Sequence, residues 1–335
     1  MLKVRLAALD GCIYETNRVW QLECSDRLDT PAQSLTVLIP EPSQMGELVR
    51  ISVFWGGECL FDGTVDEQEW RLGGSEDVLE ISARSAGGAL LDNEAIPVTY
   101  NCPCLEDLYQ LHLKPYGVRG WRGSSARCST YYPVRAGASE WDAVRAFCIG
   151  VLGVLPRLTD ELMLDATGEP SGRGMLFSNT QTGAHRYTAL TARRVRSGVI
   201  GEIAYQSGWE GTYACRARSV SAAARDITTR QVVNLSGTAD WEKYSALSRM
   251  FHASEQGSEE LVLRTPEFFP CRPGDRVRVR DSRMGAFDGY VIYEIVRSLS
   301  GGEPVCRLVL RPEQYLKGWN DHVVDTAAVI GEQRP

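Results

Sequence analysis

Two nearly identical pentapeptides, FDGTV at Phe61–Val65 and FDGYV at Phe287–Val291, stand far apart in a chain of 335 residues. Their surroundings decide whether the echo is chance. The first lies in GELVRISVFWGGECLFDGTVDEQEWRLGGSEDVLEISAR and the second in GDRVRVRDSRMGAFDGYVIYEIVRSLSGGEPVCRLVLR. Both open on glycine and an acid, Gly46-Glu47 and Gly274-Asp275, and both continue into a Val-Arg strand, Val49-Arg50 and Val277-Arg278. Both turn through glycine into Phe-Asp-Gly-x-Val, break at Gly73-Gly74 and Gly301-Gly302, and finish in an alternating strand that ends in arginine. Any three antiparallel strands joined by glycine turns share some of this pattern. The kept order of features favours two copies of one β domain. Phe61, Asp62, Gly63, Phe287, Asp288 and Gly289 then form a repeated structural turn motif. A strand glycine marks a bulge or a close backbone approach, so these residues read as shape rather than chemistry.

Outward from the first copy, residues 1–100 are mostly strand. Runs such as RVWQLECS, SLTVLIP and LVRISVFWGG are separated by the turn-forming PEPSQMG and LGGSED. In EDVLEISAR, Val78, Glu80 and Ser82 fall on one face and Leu79, Ile81 and Ala83 on the other, the alternation of a half-buried strand. Short strands at this spacing imply an antiparallel barrel or sandwich. Residues 101–170 differ. CLEDLYQLHL puts Leu105, Leu108, Tyr109 and Leu111 at near-helical spacing before Pro115. SEWDAVRAFCIGVLGVLP predicts a stronger helix, with Ser139 as N-cap, Asp142 completing a capping box, and an apolar stripe of Val144, Phe147, Cys148, Val151 and Leu152. Strands return from about 171, with a helix in TADWEKYSALSRMFHASEQG whose apolar face holds Trp241, Tyr244, Leu247, Met250 and Phe251. The expected fold is mainly β with a small α/β insert. Its parts are a β-barrel domain over 1–100, the insert over 101–170, a second, related β-barrel domain with a helical insertion over 171–316, and a loosely held tail over 317–335.

Composition excludes several functions. The net charge of −7 argues against stable nucleic-acid binding, which needs cations to neutralise phosphates. No apolar run approaches a membrane span and the N-terminus does not read as a signal peptide, so the chain is expected to be made and kept in a cytoplasm. Ten cysteines without a secretory signal read mainly as reduced, buried thiols. The tight Cys102–Cys104 pair, with only His112 and Cys128 nearby, lacks the spacing of a zinc site. The four histidines are isolated, and no nucleophile elbow, His-Glu-x-x-His motif or P-loop occurs. Asp66 and Glu69 could be posed as a glycosidase pair, but in an acidic chain such carboxylates usually form a solvated face. No catalytic, cofactor-binding or metal-binding residue is assigned. Eight tryptophans and thirteen tyrosines leave a carbohydrate-binding β-sandwich as an alternative, beside a cell-wall-degrading enzyme.

A chain with two similar β domains can imitate twice as many subunits. Three copies would set six similar domains in a ring, able to dock on a sixfold ring on one side and a threefold object on the other. At FDGTVDEQEW followed by LEISARSAGGALLDNEA, at VRAGASEWDAV, and at PCRPGDRVRVRD, GAFDGYVIYEIVRS and VCRLVLRPEQY, the sequence resembles the baseplate hub proteins of contractile phage tails, the late control protein group of Mu-like phages. The N-terminal region of type VI secretion spike proteins is similar. The resemblance spans about residues 1–316. It implies two tube-like barrels in a homotrimeric symmetry adaptor of the tail baseplate, assembled in a bacterial host cytoplasm. The implied partners are the tail tube protein, the central spike protein, and other baseplate or tape-measure proteins. Some hubs of this wider group carry a fused cell-wall-degrading domain, for which the short tail leaves no length.

Overall fold

The computed structural model describes residues 2–40, 45–73, 77–206, 208, 212–238, 240–319 and 324–325. Seven strands come first: β1 (Leu2–Ala8), β2 (Ile13–Thr16), β3 (Gln21–Arg27), β4 (Ser34–Pro40), β5 (Leu48–Trp55), β6 (Glu58–Arg71) and β7 (Val78–Ser85). They pair antiparallel in the order β3-β4-β7-β6-β5-β1-β2. The period-2 pattern does the sorting. On β7, Leu79, Ile81 and Ala83 are buried, and their alternating neighbours are not.

A short helix α1 (Ala89–Asp92) leads into the insert. This comprises β8 (Val98–Asn101), α2 (Leu105–Leu108), β9 (Gly120–Gly123), β10 (Tyr131–Val134), α3 (Glu140–Phe147), β11 (Arg157–Leu158) and β12 (Met163–Ala166). It has its own core, including Leu105, Leu108, Trp141, Val144, Phe147 and Leu164. The capping box on α3 is formed: Ser139 Oγ accepts from the Asp142 amide at 3.1 Å, and Asp142 Oδ2 accepts from the Ser139 amide at 3.2 Å. Gly153, at φ 69°, ends the turn that follows. The expected face of the first helix needs a correction. The backbone widens to a π turn over Tyr109–Leu113, which rotates the following side chains by about one position. His112 and Leu113 therefore point inward, and Leu111 is 58% exposed.

The C-terminal half contains β13 (Ser171–Ser178), β14 (Ala189–Arg194), β15 (Glu202–Gln206), β16 (Cys215–Ser219), α4 (Val220–Ala223), β17 (Arg230–Asn234), α5 (Asp240–Gln256), β18 (Glu259–Thr265), β19 (Asp275–Asp281), β20 (Gly285–Ser300), β21 (Glu303–Pro312) and β22 (Val324–Asp325). Strands β15–β17 and β22 make a separate four-stranded sheet, against which Leu247 and Phe251 of α5 pack. The side chains of Trp241 and Tyr244, expected on that helix face, lie outside the described residues, as does most of 320–335. The reading of a loosely held tail from residue 317 is corrected at its start. Trp319 is buried beside Leu316, its ring 4.1 Å from that of His252, and β22 pairs with β16.

The chain is mainly β, as expected; no closed barrel is seen among the described residues, and strands of the two halves share one sheet. Strand β20 pairs with β19 along its first part, with β3 along its second part, and with β21 on its other edge. The result is one thirteen-stranded sheet whose main path runs β14-β18-β21-β20-β3-β4-β7-β6-β5-β1-β2, with β19 and β13 branching from β20. A single hydrophobic core lies under both halves and joins Leu6, Ile51 and Phe61 to Val277, Ile295 and Leu308. Among the described residues, no helix is long and apolar enough to cross a membrane.

Candidate functional site: the twin meanders and their joint

The two FDG stretches lie within strands, not at turns. Each sits in the middle strand of a three-stranded antiparallel meander, β5-β6-β7 or β19-β20-β21. The pairings correspond at the phenylalanines: Phe61 stands opposite Val53, and Phe287 opposite Val279. Each aspartate reaches back to an arginine on the preceding strand. Asp62 accepts from Arg50, at 3.1 Å from its Nε, and from Ser52 Oγ at 2.7 Å. Asp288 accepts from Arg280 Nη2 at 2.8 and 3.1 Å. Burial pushes the Asp62 carboxyl up, but the hydrogen bonds from Arg50 and Ser52 outweigh it and hold it below the ordinary carboxylate value.

The two glycines answer different needs. A Cβ on Gly63 would sit 2.3 Å from the Arg84 carbonyl oxygen and 2.7 Å from the Phe61 ring, so this is a close backbone approach. Gly289 has open space around it but a φ of +73°. There β20 places Asp288 and Gly289 opposite the single Arg278, a bulge opened by a left-handed glycine. Phe61 is fully buried, and Phe287 packs only at the fringe of the core. The copies share topology and the pairing at the phenylalanine, but the bulge offsets the second register by one residue beyond it, and the packing is not identical.

The carboxylates weighed as a glycosidase pair are each tied to an arginine. Arg84 donates to Asp66 at 2.8 and 2.9 Å and also to Asp92, while Arg71 donates to Glu69 at 2.9 Å. Cys104 Sγ donates to Asp107 at 3.2 Å. Among the described residues, no three His, Cys, Asp or Glu side chains converge in a metal-binding group. The insert buries a network not read from sequence. Tyr100 Oη lies 2.8 Å from His112 Nε2, His112 Nδ1 lies 2.5 Å from Glu140 Oε2, and Tyr116 Oη donates to Glu140 Oε1 at 3.0 Å. No sequence signal marked it: a carboxylate in the first turn of a helix is ordinary, and the burial of Glu140 emerges only in the fold.

Two charged residues are buried where β3 meets β20. Arg297 is fully buried and donates to the carbonyls of Phe269 at 3.2 Å and Cys271 at 2.7 Å. Asp26 accepts from Gln33 Nε2 at 2.9 Å. Burial pushes the Asp26 carboxyl up to about 6, against the lowering pull of Arg297 and Arg272. The folded state therefore holds this proton more tightly than the unfolded chain does. The resulting stability is fully present below the unfolded value and is lost as pH rises through about 6. Other carboxylates titrate as well, so the comparison that isolates Asp26 is with Asp26→Asn. Between about pH 4.5 and pH 7.5 the variant should gain on the parent by roughly 2–3 kcal/mol in urea unfolding. Parallel pH profiles of parent and variant would remove Asp26 as the source.

No family model matches the sequence. No curated protein matches it either. Solved structures do match. A tail protein of Neisseria meningitidis MC58 superposes with a TM-score of 0.73 at 15% identity, over 96% of this chain and 99% of that one. The 43 kDa tail protein of prophage MuSo2 from Shewanella oneidensis gives 0.74 at 13% identity, over 95% and 98%. An Escherichia coli component of the type VI secretion system, itself described as similar to bacteriophage T4 tail proteins, gives 0.57 at 10% identity, over 94% and 78%. Nearly end-to-end superposition at such low identity is a likeness of fold, and the fold of this chain is that of phage tail proteins and of the type VI secretion component.

Proposed function

We propose that the chain is a structural hub of a contractile phage tail baseplate, or of a related bacteriocin particle. It would form a homotrimer with pseudo-sixfold symmetry and join a hexameric tail tube to a trimeric central spike. One observation carries this reading: two meanders of the same topology lie in one sheet, joined through β3 and β4, and its edge strands β2, β13 and β14 have a single strand partner each among the described residues. Unpaired strand edges must be covered or bonded, and a head-to-tail ring of copies would do so. The two tube-like units would span about 1–100 and 171–316, with the α/β unit of 101–170 set outside them and the stretch from 317 onward as a terminal segment. Phe61, Asp62, Gly63 and Phe287, Asp288, Gly289 would set the curvature shared by the two units. Other baseplate or tape-measure proteins would be further partners. The role is passive: the hub holds the spike, transmits geometry and leaves a lumen when the spike departs. No turnover is expected.

The test is the native mass of the purified chain, alone and mixed with its neighbouring tail proteins. A mass near three chains is expected, at the latest in the mixture. A monomer under both conditions would overturn the ring.

A further inference from the structure

The main path of the large sheet ends in β2 on one side and β14 on the other, and the two ends differ in charge. Residues 186–196, which carry β14, hold Arg186, Arg193, Arg194 and Arg196 and no acid. Residues 9–16, which carry β2, hold Asp10 and Glu15 and no lysine or arginine. The difference extends to the two halves. Residues 1–100 carry 17 Asp and Glu against 7 Lys and Arg, a net charge of −10. Residues 171–316 carry 20 Lys and Arg against 15 Asp and Glu, a net charge of +5. The remaining edge strand, β13, is less open, because the chain's own His185 bonds to it. The Ser178 amide donates to the His185 carbonyl at 3.0 Å, and the His185 amide donates to the Leu176 carbonyl at 2.9 Å.

Both ends present these charges on the solvent face. Tyr14 of β2 packs on the core, so Ile13 and Glu15 point away from it. Leu190 of β14 packs on the same core, so Thr191 and Arg193 point away from it. Each charge has a counter-ion one strand further in. Lys3 of β1 lies 2.9 Å from Glu15, with Arg5 directly opposite, and Glu260 of β18 lies 3.4 Å from Arg193. Arg194 likewise reaches Glu259 at 3.6 Å.

We propose that β2 of one copy bonds edge to edge with β14 of a second copy, and that charge selects this pairing. The joint rests on the ring proposed above and names the strands that close it. Across it the solvent face would alternate in sign over four strands, from Lys3 to Glu15 to Arg193 to Glu260. Opposite charges on neighbouring strands stabilise a pair, and like charges facing each other destabilise it. Two β14 edges would set arginine against arginine, and two β2 edges would set Glu15 against Glu15. Like edges therefore repel and unlike edges attract, which favours the head-to-tail contact that closes a ring over a two-fold one. Arginines on an open edge also deter indiscriminate strand addition, and an acidic edge is the kind they admit. The exposed Leu9 and Ile13 beside Glu15 supply apolar contact for the same joint. At longer range the opposite net charges of the two halves steer the approach.

The experiment follows the trimer–monomer equilibrium of the full chain by sedimentation between about 0.05 and 0.5 M sodium chloride, in the mixture with its neighbouring tail proteins if the chain is monomeric alone. Dissociation should rise at least about tenfold over that range, because salt screens exposed charges. At low salt, Arg193→Glu and Glu15→Arg should each weaken the trimer by about tenfold or more, since every ring contains three such joints. The two changes in one chain should restore it to within about threefold. Both side chains are largely open to solvent, so each variant should keep the parent's urea midpoint. The salt series on the parent stands even if a variant fails to fold. A trimer indifferent to salt and to both reversals would overturn this joint and leave the ring standing. A double reversal that fails to restore what the single reversals lost would overturn it as well. A monomer under every condition would remove the ring and the joint together.

Discussion

Gly63→Val should destabilise the protein by roughly 3 kcal/mol or more and abolish assembly, because the added carbons meet backbone rather than a movable side chain. A Cβ here would lie 2.3 Å from the oxygen and 2.7 Å from the carbonyl carbon of Arg84. Relief requires β6 and β7 to part. Arg84 cannot yield freely, since its guanidinium holds both Asp66 and Asp92. Gly289→Ala is the control. Its site is open, so the cost is the left-handed backbone alone, about 1–2 kcal/mol. Urea midpoints of the two variants, followed by native mass, measure the contrast. A Gly63→Val chain with the parent's midpoint would refute the close-approach account.

The second large effect separates the two phenylalanines of the repeat. Phe61 is 1% exposed inside the common core, and Phe61→Ala should cost about 3–5 kcal/mol. Phe287 lies at the fringe of that core, its ring 6.3 Å from Tyr290, and Phe287→Ala should cost on the order of 1 kcal/mol. Equal losses in thermal or urea unfolding would mean that the two copies bury their motif alike, contrary to the packing described above.

What the sequence disclosed was local. Alternation on β7, the Ser139–Asp142 cap on α3 and the ordered echo of the meanders are each set within a short stretch, and each is present in the fold. What it hid was long-range or exceptional. Nothing in QLECSDR says that β3 will bond to β20, because a strand edge carries no address for its partner. The bonding of the halves into one sheet was therefore unreadable. Strands β15, β16 and β17 were read with the second barrel, and β22 fell within the expected tail, for the same reason. The π turn at Tyr109–Leu113 shifted the apolar face of the first insert helix; Pro115 announced where the helix ends but not that its last turn widens. Arg297 and Asp26 escaped notice because charged residues in strands are expected at the surface.

The pairing of β3 with β20 also sets an order of events in time. Glu23 bonds opposite Ser298, so a strand near the start of the chain must wait for one made near its end. During synthesis β4 can cover one edge of β3 early, but the other edge stays bare until almost the whole chain has emerged. Such distant pairing carries a high loop-closure cost and folds slowly. In the interval the bare edge is a template for the wrong strand, including the same edge on a second nascent chain. Yield on expression should therefore be governed less by the stability of the finished sheet than by the lifetime of its unfinished one.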